Sequence, residues 1–91
     1  MNKNQIALSS LAMDLKRAAL GYHQGSLNTG QRFLEEAMMR KNEIDPTILK
    51  PYVAKLLKKL DDLVKEKDTS RIAEDALMYS TLFQNASLQV R

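Results

Sequence analysis

The stretch that decides the fold runs from Ile72 to Val90 and reads IAEDALMYSTLFQNASLQV. Its apolar residues recur at alternating intervals of four and three, the spacing that aligns side chains along one side of an α-helix. The stripe consists of Ile72, Ala76, Tyr79, Phe83, Ala86 and Val90. Three further segments carry similar stripes, and none shows the alternation of a β-strand. The chain is therefore predicted to be all-α, a small antiparallel up-down four-helix bundle.

The helix boundaries follow from caps, prolines and glycines. Ser26 is the predicted N-cap of the second helix, with Asn28 or Thr29 as the alternative if that helix starts later. Asp45-Pro46 signals a helix start, but Pro51 interrupts it, so a short turn should precede the third helix. The predicted helical segments are 4–22, 26–42, 51–67 and 70–88, with the short turn at 46–50. The short connections favour antiparallel neighbours.

Size and composition limit the class of protein. The 91 residues form a single domain, 1–91, whose core must rest on aliphatic side chains because the chain has five aromatic residues and no Trp. Leu56, Leu60 and Phe83 are the residues most strongly predicted to be buried. The absence of Cys excludes disulfides and thiol chemistry, and no apolar run approaches the length of a membrane span. We expect a cytoplasmic protein without a membrane partner.

Positive charge is concentrated on the third helix. The net charge is +3, and residues 46–67 alone hold six lysines against three acidic side chains. We expect that any nucleic-acid contact is weak and made to phosphates by the outward lysines, Lys55, Lys58, Lys59 and Lys65. The same side chains suit an acidic protein, or form an ordinary solvated face, because Asp61 and Asp62 follow Lys58 at helical pairing distance.

The second candidate surface consists of apolar side chains left over after the four stripes are buried. Met38 and Met39 are adjacent, so one side of a helix cannot bury both, and Met78 and Leu82 lie beside the main stripe of the last helix. Methionine adapts to irregular contact surfaces. These four residues are predicted to contact a protein partner or a second copy, with broad core packing as the alternative.

Catalytic and metal chemistry find little support in the residue pattern. No Glu-x-x-His pair exists, so a di-metal carboxylate site is not predicted, and His23 is the only histidine. We expect no metal, no cofactor and no small-molecule substrate.

One motif nevertheless resembles a known family. Arg17 and His23 form R-x5-H, which is similar to the R-x4–6-H signature of HEPN-type ribonucleases, themselves small helical bundles. The stretch Gly25–Ala37 resembles their early helical hairpin. In that family the motif lies in a late helix, whereas here it lies in the first. The resemblance implies an RNA-cleaving role for Arg17 and His23, which requires that the two side chains meet in one cleft.

The leading functional prediction is a non-catalytic accessory or adaptor subunit that binds a larger protein. The basic third helix makes a nucleic-acid-processing assembly, such as a DNA polymerase complex, a reasonable host. The alternatives are a HEPN-like ribonuclease of the toxin type and a small antitoxin or immunity protein.

Overall fold

A computed structural model describes residues 3–89, and these residues form four α-helices. The helices are α1 (Lys3–His23), α2 (Leu27–Asn42), α3 (Pro51–Lys65) and α4 (Thr69–Gln89), with a 3-10 turn at Pro46–Ile48. The predicted all-α four-helix bundle is confirmed, and the described residues contain no strand. Val90, the last member of the predicted stripe, lies outside them. Within residues 3–89, no helix combines the length and hydropathy needed to cross a bilayer.

The helix ends follow the predicted signals with one exception. Asp45 accepts hydrogen bonds from the backbone N–H (2.9 Å) and the hydroxyl (2.6 Å) of Thr47, which caps the 3-10 turn. Asp68 accepts hydrogen bonds from the backbone N–H groups of Ser70 and Arg71 and so caps α4. Ser26 immediately precedes α2 as predicted, but its side chain makes no capping hydrogen bond.

Helix α1 lies at the centre of the bundle, and small residues explain why. It packs closely along both α2 and α4, whereas α3 approaches its neighbours less closely. The side of α1 that faces its neighbours includes Ala7, Ala12, Ala18 and Ala19, all buried, which allow close backbone approach. The corresponding residues of α3 are larger, mainly leucines, and hold that helix at a greater distance.

The core confirms two of the three strongest burial predictions. Leu60 and Phe83 have no exposed surface and belong to the central apolar cluster. Leu56 is only half-buried at the edge of that cluster, so its prediction as a full core residue is wrong. The buried side of α3 is centred on Val53, Leu57 and Leu60, which turns Leu56 toward the α3–α4 boundary.

Candidate functional site

One hydrogen bond links α3 to α4 and indicates their register. The Tyr52 hydroxyl donates to Oε1 of Gln89 at 2.7 Å, and the two helices run antiparallel. Because both helices rise equally per residue, the residue seven positions after Tyr52 is level with the residue seven positions before Gln89. Lys59 on α3 is therefore level with Leu82 on α4.

The titration of Tyr79 agrees with this register, which places Tyr79 level with Asp62. Burial raises the pKa of the Tyr79 hydroxyl, and the carboxylates of Asp75 and Asp62 raise it further because they disfavour a second negative charge nearby. Asp62 belongs to α3, so its carboxylate lies near enough to act on a group of α4.

Two of the four predicted apolar contact residues lie on this side of α4. Met78 is 48% exposed and Leu82 is 36% exposed. Leu82 precedes Gln89 by seven residues, or two helical turns, and Met78 precedes Leu82 by four, so all three share the side of α4 that faces α3. The two apolar side chains therefore lie near the α3–α4 boundary and remain accessible.

Two of the four predicted lysines lie at the same boundary. Lys59 follows Tyr52 by seven residues, or two helical turns, and so lies toward α4. Lys55 lies three residues after Tyr52 and four before Lys59, on the adjoining outer surface of α3. Both side chains are exposed. We call the surface formed by Tyr52, Lys55, Lys59, Met78 and Leu82 the α3–α4 face.

The other two lysines lie nearer to α2, on the same exposed side of α3. Asp61 pairs with Lys41 of α2, with 3.1 Å between Nζ and Oδ1, so the Asp61 side of α3 faces α2. Lys58 and Lys65 lie three residues before and four residues after Asp61, hence on the same side. Lys58 forms no ion pair with Asp61 or Asp62 within residues 3–89. The predicted lysine face is therefore exposed, with Lys59 at its α4 edge, Lys58 and Lys65 toward α2, and Lys55 between them.

The remaining apolar candidates are far from the α3–α4 face. Met38 is half-buried and lines a groove between α2 and α3, together with Leu34 and Leu63. Met39 is 67% exposed and lies beside Arg40 on the outer side of α2. Because α2 and α4 pack on different sides of α1, the four apolar candidates do not form one surface.

The structure also places Arg17 and His23 apart. Arg17 faces α2, where its guanidinium lies 5.7 Å from the centre of the Phe33 ring. His23 faces α4 and lines a cavity of about 510 Å³ together with Glu74 and Leu77. Arg17 does not line this cavity. The two residues of the R-x5-H motif therefore do not meet in one cleft of this chain.

Asp14 is a buried charged group that the sequence prediction missed. Its carboxylate lies 3.6 Å from Nη1 of Arg17 and 3.7 Å from Nε of Arg40, between α1 and α2. Burial raises the pKa of Asp14, Glu36 raises it further, and the two arginines partly oppose the increase. The spacing of Asp14 to Arg17 signalled an ion pair, but burial depends on α2 lying alongside. Among residues 3–89, no cluster of three or more His, Cys, Asp or Glu side chains is arranged to hold a metal.

Comparison with known proteins identifies no relative. No protein-family model matches the chain, and no curated protein or solved structure matches it either.

Proposed function

We propose that this protein is a non-catalytic accessory subunit that binds a larger protein through its α3–α4 face. The observation that carries the proposal is the position of Met78 and Leu82, two accessible apolar side chains, level with or next to Lys59 and Lys55. A central apolar contact bordered by charged side chains is the usual composition of a protein interface.

The chemistry of the α3–α4 face specifies the partner surface. Met78 and Leu82 require an apolar pocket, since their burial supplies most of the binding free energy. Lys55 and Lys59 require carboxylates beside that pocket, which guide association and exclude basic partners. Asp62 and Asp75 lie near the opposite end of the same face and disfavour acidic groups there. The proposed partner therefore has an apolar pocket with acidic residues on one side.

The lysines outside the α3–α4 face bear on the kind of assembly in which this subunit would work. Lys58 and Lys65 lie on the exposed side of α3 nearer to α2, away from Met78 and Leu82, and would stay accessible when the α3–α4 face is occupied. Such lysines suit a subunit that works near nucleic-acid phosphates, as in a DNA polymerase complex. An antitoxin or immunity protein would also bind a protein partner, and the identity of the captured partner distinguishes it. The separation of Arg17 from His23 gives the ribonuclease alternative no support.

Partner capture with surface variants tests the proposal. An affinity-tagged chain is incubated with a lysate of its source cell, and retained proteins are identified by mass spectrometry. The double variant Met78→Glu/Leu82→Glu should lose the partner because it places two charges in the apolar contact.

Met39→Glu is the matched control, since it adds a charge at an exposed methionine on α2. It should retain the partner, and both variants should keep the thermal melting curve of the parent. A partner that is retained equally by the double variant would contradict the proposed site. The absence of any specific partner would contradict the proposed function.

A further inference from the structure

Two neighbouring helical segments of this charged protein contain no charged side chain. The chain has 14 basic and 11 acidic residues, yet none falls within residues 4–13 or 76–89. The two segments lie side by side in antiparallel helices, where the Ser80 hydroxyl donates to the backbone carbonyl of Ala12 at 2.8 Å. Apart from Lys3, the first residue of α1, the described residues at this end of the α1–α4 pair are therefore uncharged. Depletion of charge is typical of the centre of a protein interface.

Exposed apolar side chains follow the same helix pair. Ile6, Met13 and Leu20 are spaced seven residues apart on the outer side of α1, and each is about half exposed. On α4, Leu77 borders a groove of about 360 Å³ together with Met13. Leu88 lies farther along the uncharged end and is also exposed. We call this surface the α1–α4 face.

We infer that the α1–α4 face binds a second copy of this chain, with the two α1 helices antiparallel across a two-fold axis at Met13. Side chains seven residues apart project from nearly the same side of a helix, so Ile6, Met13 and Leu20 form one line of apolar contacts along α1. Met13 lies midway between Ile6 and Leu20, so an axis at Met13 places Ile6 against Leu20 of the second copy. Every apolar residue of the repeat then meets another apolar residue.

The charges next to the repeat favour the antiparallel arrangement. Lys16 and Arg17 are exposed beside the seam. With the axis at Met13, they lie level with Ser10 and Ser9 of the second copy, which belong to the uncharged segment. A parallel pair would instead bring Lys16 near Lys16 of the second copy, and like charges in contact are destabilising.

The apolar repeat from Ile6 to Leu20 is about 21 Å long at 1.5 Å per residue. A standard interface buries about 800 Å² per partner, so the dimer contact must extend from α1 to the exposed apolar residues of α4. The α3–α4 face stays free, because Met78 and Leu77 are consecutive residues that point to different sides of α4. The inference is thus independent of the proposed function.

Light scattering at several protein concentrations tests the dimer. The parent chain should show twice its mass of 10.3 kDa, and Met13→Glu should show the monomer mass, because it brings two like charges together at the axis. Met39→Glu should remain dimeric. Melting curves confirm that each variant is folded. A monomeric parent at high concentration, or a Met13→Glu variant that stays dimeric, would overturn the inference.

Disulfide trapping tests the arrangement separately, because the chain contains no Cys. Met13→Cys should form a disulfide-linked dimer on mild oxidation, since residues at a two-fold axis lie within the few ångströms that a disulfide spans. A mixture of Ile6→Cys and Leu20→Cys chains should cross-link to each other, whereas Ile6→Cys alone should not. Cross-linking of Ile6→Cys to itself, with or without Met13→Cys dimers, would overturn the antiparallel pairing.

Discussion

Gly21 and Gly30 meet where α1 and α2 approach most closely. A Cβ atom on Gly21 would lie 2.6 Å from the backbone nitrogen of Gly30 and 2.8 Å from its Cα. Both contacts involve backbone atoms, which cannot rotate away as a side chain can. Position 21 is therefore glycine because a larger residue there would push α1 and α2 apart.

Gly21→Ala should therefore destabilise the fold. Alanine gains roughly 1 kcal/mol of helix propensity over glycine, but overpacking against a backbone costs about 1–3 kcal/mol and also strains the neighbouring turn. Gly30→Ala is the control, since the nearest atoms to its added Cβ would belong to the ring of Tyr22 at 2.8–3.0 Å, a half-buried side chain rather than backbone. Urea denaturation should show a larger loss for Gly21→Ala. A stabilised Gly21→Ala variant would show that the close approach is wrong.

Leu60→Ala should reduce the free energy of unfolding by about 2–5 kcal/mol, because it leaves a cavity at a fully buried site. Leu56→Ala removes the same atoms from a half-buried position on the same helix and should cost about 1 kcal/mol. Chemical denaturation of the two variants measures the difference directly. Equal losses would mean that the orientation of α3 about its axis is misassigned.

The buried carboxyl of Asp14 should make stability depend on pH. Because its pKa in the folded chain lies above the ordinary value of 3.8, the folded state binds a proton that the unfolded state has already released. The stabilisation that this proton gives the folded chain is complete below the ordinary pKa of 3.8 and is lost as pH rises through the raised pKa of the folded chain. The asparagine of the Asp14→Asn variant cannot titrate. The free energy of unfolding of the variant should therefore rise relative to that of the parent between about pH 3 and about pH 6.

Urea denaturation of the parent and Asp14→Asn at both pH values supplies the comparison. A relative stability that worsens with rising pH would show that the ion pairs with Arg17 and Arg40 outweigh burial.

Binding to nucleic acid, where it occurs, should be weak, independent of sequence and strongly reduced by salt. The four exposed lysines of α3 offer contacts to phosphates, and no base-reading element accompanies them. Fluorescence anisotropy with labelled DNA and RNA at several salt concentrations measures this. Tight binding that survives high salt would require a different surface.

The local pattern was sufficient to predict the helices but not their relative positions. Asp45-Pro46, Pro51 and Asp68 determine where elements begin through short-range hydrogen bonds and backbone restriction, so the sequence alone reveals them. The burial of Asp14 depends on α2 lying alongside α1, and the half-burial of Leu56 depends on the rotation of α3. Such properties arise only when helices pack.

The same distinction between local sequence pattern and helix packing applies to the candidate site. Exposure of Lys55, Lys58, Lys59 and Lys65 followed from helical spacing. Which of them lie nearer to α2 followed from the ion pair between Lys41 and Asp61, a contact between helices. The uncharged segments 4–13 and 76–89 were visible in the sequence, but their significance became apparent only when α1 and α4 were seen to lie side by side.

The central claim, that the α3–α4 face binds a protein partner, is tested most directly by two matched charge reversals. Lys55→Glu/Lys59→Glu changes the charge at the α3–α4 face, and Lys58→Glu/Lys65→Glu makes the same change in net charge nearer to α2. Capture of the partner from the source-cell lysate should be lost in the first variant and retained in the second, because the carboxylates of the partner face only the first pair. Equal retention, or equal loss, in the two variants would contradict the account.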